Sequence, residues 1–133
     1  MRRLLVNRWM TPDGTILHSK SLHDFVKYVD ADGNTYGVDG GIAYCRLVGN
    51  TGKLADMCLY EGDAHEEIRK YFYWGTYGKD GTQPKKYVTL KEMTNEHIEA
   101  VLDTQRQIQG TQVERLFESE LDYRDTHGIF IED

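Results

Sequence analysis

Three Asp-Gly turns constrain this chain more than any other feature. They lie in Thr11-Pro12-Asp13-Gly14-Thr15, in Ala31-Asp32-Gly33-Asn34 and in Tyr77-Gly78-Lys79-Asp80-Gly81-Thr82. Pro12 presets φ for the first turn position, and Gly14 accepts the left-handed backbone of a type I turn with a G1 bulge. Each such turn reverses the chain, so the flanking segments must run antiparallel. Leu4 to Met10 and Ile16 to Lys20 read as one hairpin. Asp24 to Asp30, around Phe25, Val26, Tyr28 and Val29, and Thr35 to Val38 read as a second. Asp39-Gly40-Gly41 interrupts, Ile42 to Val48 resumes as a strand, and Leu54 to Tyr60 fits either a strand or a short helix.

The pattern then turns helical. Asp63 with Glu66 forms a D-x-x-E start, Ile68, Tyr71 and Phe72 share one face, and Gly75 is expected to end the helix. Lys85 to Leu90 is extended. Thr94 is the expected N-cap of the next helix, with Met93 and Ile98 at the hydrophobic-staple positions and Ile98, Val101 and Leu102 as its stripe. Thr111 with Glu114 opens the last helix as a capping box, Val113, Leu116, Phe117 and Leu121 form its apolar face, and Gly128 closes it. Ile129-Phe130-Ile131 is an apolar tail expected to dock. The fold class is therefore α+β: an N-terminal antiparallel β-hairpin ribbon packed on a C-terminal helical part ending in an αα-hairpin. The expected organisation is a single domain, with a β-rich ribbon over 1–60, a helix and hinge over 61–90, and an acidic αα-hairpin over 91–133.

Composition narrows the class. With 39% hydrophobic and 29% charged residues the chain is globular. No apolar run approaches the ~20 residues of a membrane helix, and MRRLLVNRWM lacks the features of a signal peptide. Cys45 and Cys58, with no C-x-x-C, argue for two buried thiols in a cytosolic protein. Net charge is -6, but residues 91–133 carry four Lys/Arg against eleven Asp/Glu. That acidic third would repel phosphate, so a basic nucleic-acid face is confined to the rest of the chain.

The segment Arg69 to Tyr87 interleaves Tyr71, Phe72, Tyr73, Trp74, Tyr77 and Tyr87 with Gly75, Gly78 and Gly81 and with four lysines. It lacks the four-residue gap and the Ser/Thr of a P-loop. Tyr71, Phe72 and Trp74 read as core. Tyr73 and Tyr77 leave the helical stripe and, with Lys79, Lys85 and Lys86, form a candidate binding surface. A second candidate is a ribbon pocket of His23, Asp39, Tyr44 and Arg46, where Gly40-Gly41 would let a ligand approach the backbone. Asp30-Ala31-Asp32-Gly33-Asn34 opens like a calcium loop but lacks the glycine and glutamate that loop requires. No metal and no cofactor is expected. His18, His23, Asp24 and Asp39, with Ser19 or Ser21, are the densest set of catalytic residue types, but no third-ligand spacing or nucleophile elbow accompanies them. A polar corner between hairpins accounts for the same residues.

The segments SKSLHDF (19–25), VDGGIAYCR (38–46), WGTYGKDGTQP (74–84), MTNEHIEAVLDTQ (93–105) and FESELDYRDTHGIFIED (117–133) resemble an uncharacterised family of small proteins of tailed bacteriophages. Related members carry zinc knuckles of C-x-x-C-G and C-x-C-G type where this chain has Thr11-Pro12-Asp13-Gly14 and Asp30-Ala31-Asp32-Gly33. The resemblance implies that residues 1–46 form a zinc-ribbon-like module with Asp-Gly turns in place of metal, and it implies no activity. The reading is a non-enzymatic phage accessory protein in the host cytoplasm. It would bind a host or anti-phage-defence component, either a protein or a nucleotide-type signal. Three alternatives stand beside it: a small nuclease or nucleotide-processing hydrolase using His18, His23, Asp24 and Asp39, a single-stranded nucleic-acid-binding module, and an acidic DNA mimic presenting Glu92, Glu96, Glu99 and Asp103.

Overall fold

The computed structural model describes residues 2–132, and the chain forms two compact units, Met1–Tyr60 and Glu61–Asp133. The class is α+β, with antiparallel sheets in the first unit and three α-helices in the second, where α2 packs on α3. Among the described residues no helix is long and apolar enough to cross a membrane.

In the first unit, β1 (Leu4–Met10) and β2 (Ile16–Ser19) form a hairpin, and β3 (Val26–Val29) and β4 (Thr35–Asp39) form another. The two turns are built alike. Gly14 N–H donates to Thr11 O and Thr11 N–H to Thr15 O; Gly33 N–H donates to Asp30 O and Asp30 N–H to Asn34 O. Gly14 and Gly33 sit at φ 87° and 81°, the left-handed backbone the turn demands. A side-chain oxygen of the first turn residue accepts from the last residue's amide, Thr15 N–H to Thr11 Oγ1 at 3.2 Å and Asn34 N–H to Asp30 Oδ1 at 2.9 Å.

The hairpins do not make one ribbon. The remaining segments divide between them: β5 (Arg46–Gly49) joins β4, while β6 (Ala55–Asp56) and β7 (Leu59–Tyr60) both pair with β1. The strand expected over Ile42 to Val48 begins only at Arg46, because residues 40–44 are coiled into a turn in which Ala43 N–H and Tyr44 N–H both donate to Gly40 O. Leu17, Tyr36 and Val38 form a buried core, packed by Trp9, Val26, Tyr28, Leu47 and Leu54.

The second unit starts with α1 (His65–Tyr71), shorter than its sequence pattern suggested. Ala64, not Asp63, is the N-cap, and it caps without a side-chain bond. Phe72 rather than Gly75 ends the helix, because Tyr73–Thr76 is taken up as β8 and pairs with β9 (Lys86–Thr89). Sheet pairing satisfies backbone groups of this segment that a continued helix would have satisfied internally.

A 3-10 turn over Leu90–Glu92 then leads to α2 (Asn95–Thr104), capped by Thr94, whose Oγ1 accepts from His97 N–H at 3.0 Å. Met93 and Ile98 are both buried at the staple positions. The last helix, α3 (Gln112–His127), ends in a full Schellman motif: Gly128 has φ 66°, its N–H reaches Asp125 O, and Ile129 N–H reaches Arg124 O at 2.8 Å. Glu114 reaches back to Gly110 N–H rather than to the expected Thr111. The apolar core comprises Ile68, Phe72, Leu90, Met93, Ile98, Val101, Ile108, Val113, Leu116 and Phe117.

Candidate functional site

The ribbon residues converge on one carboxylate. Asp39, at the end of β4, is 7% exposed. Its Oδ2 accepts from the Tyr44 hydroxyl at 3.1 Å and from Arg46 Nη2 at 3.0 Å. The bond to Asp39 raises the Tyr44 phenol above its ordinary pKa. The loop is held from below by buried Asn7, whose Nδ2 donates to Asp39 O at 3.1 Å and to Tyr44 O at 3.4 Å.

Gly40 and Gly41 serve the chain's own close approach, not a ligand's. A Cβ on Gly40 would lie 2.0 Å from Tyr44 O, and one on Gly41 would lie 2.4 Å from the Ser21 carbonyl carbon. His23 stays outside this group. It is exposed on the turn after β2 and makes no hydrogen bond to Asp39, Tyr44 or Arg46 among the described residues.

Of the expected catalytic set, Asp24 and Ser19 bond the chain's own backbone. Asp24 accepts from Lys20 N–H at 2.8 Å, and Ser19 donates to Asp24 O and accepts from Gly41 N–H. Burial, with help from the charges of Lys20 and Arg8, pushes the His18 imidazole down to about 4. No group of three or more His, Cys, Asp or Glu suited to a metal ion is present among the described residues.

Strand alternation divides the hinge residues. Thr76, Lys86 and Val88 lie on one face of the β8–β9 hairpin, with Trp74 edge-on to Phe117. On the other face Tyr73 meets Tyr87 edge-on, and Lys85 lies across Gly75 with its ammonium 5.1 Å from the Tyr87 ring. Tyr73, Tyr71 and Trp74 are all half-buried, while Tyr77 is 53% exposed. The third Asp-Gly turn sits inside the wider loop between these strands, closed by Gln83 N–H on Tyr77 O.

Beside that hairpin lies a cleft of about 500 Å³. Val88, Met93 and Ala100 give it apolar walls, and Lys79, Lys86, His97, Glu92 and Glu96 place charge around it. Lys79 and Glu96 approach to 3.5 Å, both largely exposed, so water screens their attraction. Glu92 accepts from Thr89 N–H and Oγ1 and caps the 3-10 turn. The acidic row of Glu92, Glu96, Glu99 and Asp103 is therefore partly committed, with Glu92 to a cap and Glu96 to Lys79.

One group escaped sequence reasoning. Glu120, fully buried on α3, takes four hydrogen bonds: His65 Nε2 and Arg69 Nε on Oε1, and Arg69 Nη2 and Arg124 Nε on Oε2. Burial alone would raise its pKa, but these partners outweigh burial and hold the carboxyl at about 2. Arg124 goes on to Asn95 Oδ1, Leu90 O and Lys91 O, and the Arg69 guanidinium lies 4.6 Å from the Tyr123 ring centroid. This network joins α1, α2 and α3, and of the side chains on Glu120 only His65 is partly exposed. Its signal was present: Glu120 and Arg124 fall on the same helical stripe as Val113, Leu116 and Phe117, which the structure buries while Leu121 at its edge is half-buried.

In comparisons with protein-family models, curated proteins and solved structures, nothing matches this chain.

Proposed function

We propose that this chain is a non-enzymatic accessory protein of a tailed bacteriophage, acting in the host cytoplasm by binding a host or defence component. Of the two partner types, a nucleotide-type small molecule fits the second unit better. The observation that carries this reading is the cleft beside β8–β9: its volume of about 500 Å³ lies in the range typical of small-molecule sites, which pair apolar walls with a few placed polar groups. A base would lie against Val88 and Ala100, above the buried Met93, and its phosphate would meet Lys79, Lys86 and His97 at the edge. The phage setting rests on the sequence resemblance of the segments named above, and it makes a host signal a reasonable class of ligand.

Isothermal titration calorimetry against mono-, di- and cyclic dinucleotides tests the reading. Saturable binding is expected, weakened at least about tenfold by Lys86→Glu, a change of roughly 1.4 kcal/mol. A second arm passes host lysate over the immobilised protein. No heat with any nucleotide and no retained protein would leave the proposal without support.

A further inference from the structure

The three-stranded sheet β3–β4–β5 has an inner face built on Tyr36 and Val38 and an outer face that the core does not use. By strand alternation and register, Lys27, Gly37, Asp39, Arg46 and Val48 point outward together. Phe25 lies across the middle of this face. A Cβ on Gly37 would stand 2.6 Å from Phe25 Cε1, so the absence of a side chain in the central strand is what lets the ring rest on the sheet. Glycine is a poor choice for a strand interior and marks such close approaches.

Two exposed cations lie over the ring as cation–π partners, Lys27 Nζ at 5.2 Å and the Arg46 guanidinium at 5.6 Å from its centroid, so a base that stacks there takes their place on the ring. Phe25 nonetheless remains 38% exposed, and Tyr44 is 46% and Val48 40% exposed. Among the described residues of these strands the one carboxylate on this face is Asp39, and it is spent on orienting Tyr44 and Arg46.

We propose that this face binds single-stranded nucleic acid, with bases stacked on Phe25 and Tyr44 and phosphates held by Lys27 and Arg46. Aromatic rings exposed on a sheet and bordered by cations are what an unpaired strand requires, because each base offers a π-face and each linkage a negative charge. A folded acidic protein would meet the same cations without using the rings, and a duplex keeps its bases stacked inside. The face lies wholly in the first unit, so this inference does not depend on the cleft of the second.

The test is fluorescence anisotropy of labelled oligothymidylate and oligouridylate of about 10 nucleotides, at salt from roughly 50 to 200 mM. Saturable binding is expected, with a log–log salt slope near -1.4 for about two phosphate contacts. Phe25→Ala is expected to weaken binding roughly 5- to 100-fold, and Arg46→Gln to flatten the slope by about 0.7. Lys27→Gln, at an exposed site, is expected to flatten it likewise. This variant keeps the test decisive if Phe25→Ala alters the thermal midpoint. Preference for one oligomer would identify the strand as DNA or RNA. Three results would overturn the proposal: no binding at the lowest salt, equal affinity for a duplex of the same length, or unchanged affinity and slope in Lys27→Gln and Arg46→Gln.

Discussion

Arg69 grips Glu120 through two hydrogen bonds of 2.9 and 2.8 Å, although the residues are 51 positions apart and belong to different helices. The geometry is the bidentate fork that suits guanidinium to carboxylate. Both side chains are nearly or fully buried, so the pair and its partners form a single electrostatic unit at the centre of the helical part.

Glu120→Gln keeps the shape of that unit and removes its charge, leaving the Arg69 and Arg124 guanidiniums buried against a neutral amide. Breaking a buried pair from one side typically costs roughly 3–5 kcal/mol. Denaturant unfolding of the variant should show a loss of this size. A loss below about 1 kcal/mol would mean that water reaches the cluster.

Acid should dismantle the same unit. The Glu120 carboxyl sits at about 2 in the folded chain against an ordinary 4.5. Its contribution is complete above pH 4.5 and is lost as pH falls towards 2, an amount of roughly 3 kcal/mol. His18, lowered from 6.5 to about 4 by burial, makes the folded state favour the neutral ring. Stability from that source is present above pH 6.5 and is lost as pH falls through 4. Thermal midpoints measured against pH should decline in both windows. Glu120→Gln should remove the lower decline, and His18→Gln the upper one.

Asn95 is the point where the tail meets the buried charges. Its Oδ1 accepts from Arg124 Nη1 at 2.8 Å and from Ile131 N–H at 3.0 Å, and its own N–H donates to Ile131 O at 2.9 Å. The tail thus docks through backbone bonds, while Phe130 remains 70% exposed. Asn95→Ala should cost about 2 kcal/mol and make the residues after Gly128 susceptible to limited proteolysis before the rest of the unit. Simultaneous cleavage throughout would show that the tail is held by something other than Asn95.

Gly40 combines φ 111° with a Cβ position 2.0 Å from Tyr44 O. Gly40→Ala should destabilise the chain by at least about 2 kcal/mol, whereas Gly14→Ala meets no neighbour and carries only the strain of its positive φ. Comparing the two by thermal melting separates steric collision from backbone strain.

The thiols should be sluggish. The two are not buried as expected, since Cys45 is exposed and Cys58 half-buried. Partial desolvation pushes Cys58 up to about 12 and raises Cys45 as well, which starves both of thiolate near neutral pH. Alkylation of the native protein at Cys58 should run at least about a hundredfold slower than in the unfolded chain, as read by mass spectrometry. Equal rates would show that the thiol is not held in this environment.

The Asp-Gly turns were legible because a turn is a local event: Gly14 and Gly33 need only positive φ and a few neighbouring hydrogen bonds. Thr94, the Met93–Ile98 staple and the Gly128 cap were legible for the same reason, since their partners lie within one helical turn. What became of Tyr73–Thr76 was not. A short run after a helix extends it or pairs with a distant strand according to what lies opposite, and Lys86–Thr89 decided the matter. That pairing then sent Lys85 and Lys86 to opposite faces and split a surface that looks continuous along the chain.

Sequence alone therefore determined the α+β class, the positions of the turns and most helix caps, all consequences of φ preference and neighbours a few residues away. Only the tertiary structure decided that Asp39 gathers Tyr44 and Arg46 without His23, that Gly37 lies beneath Phe25, and that Glu120 is buried among His65, Arg69 and Arg124. Those relationships depend on which segments meet across long stretches of chain, and a charged residue in one dimension reads as solvated until its partners arrive.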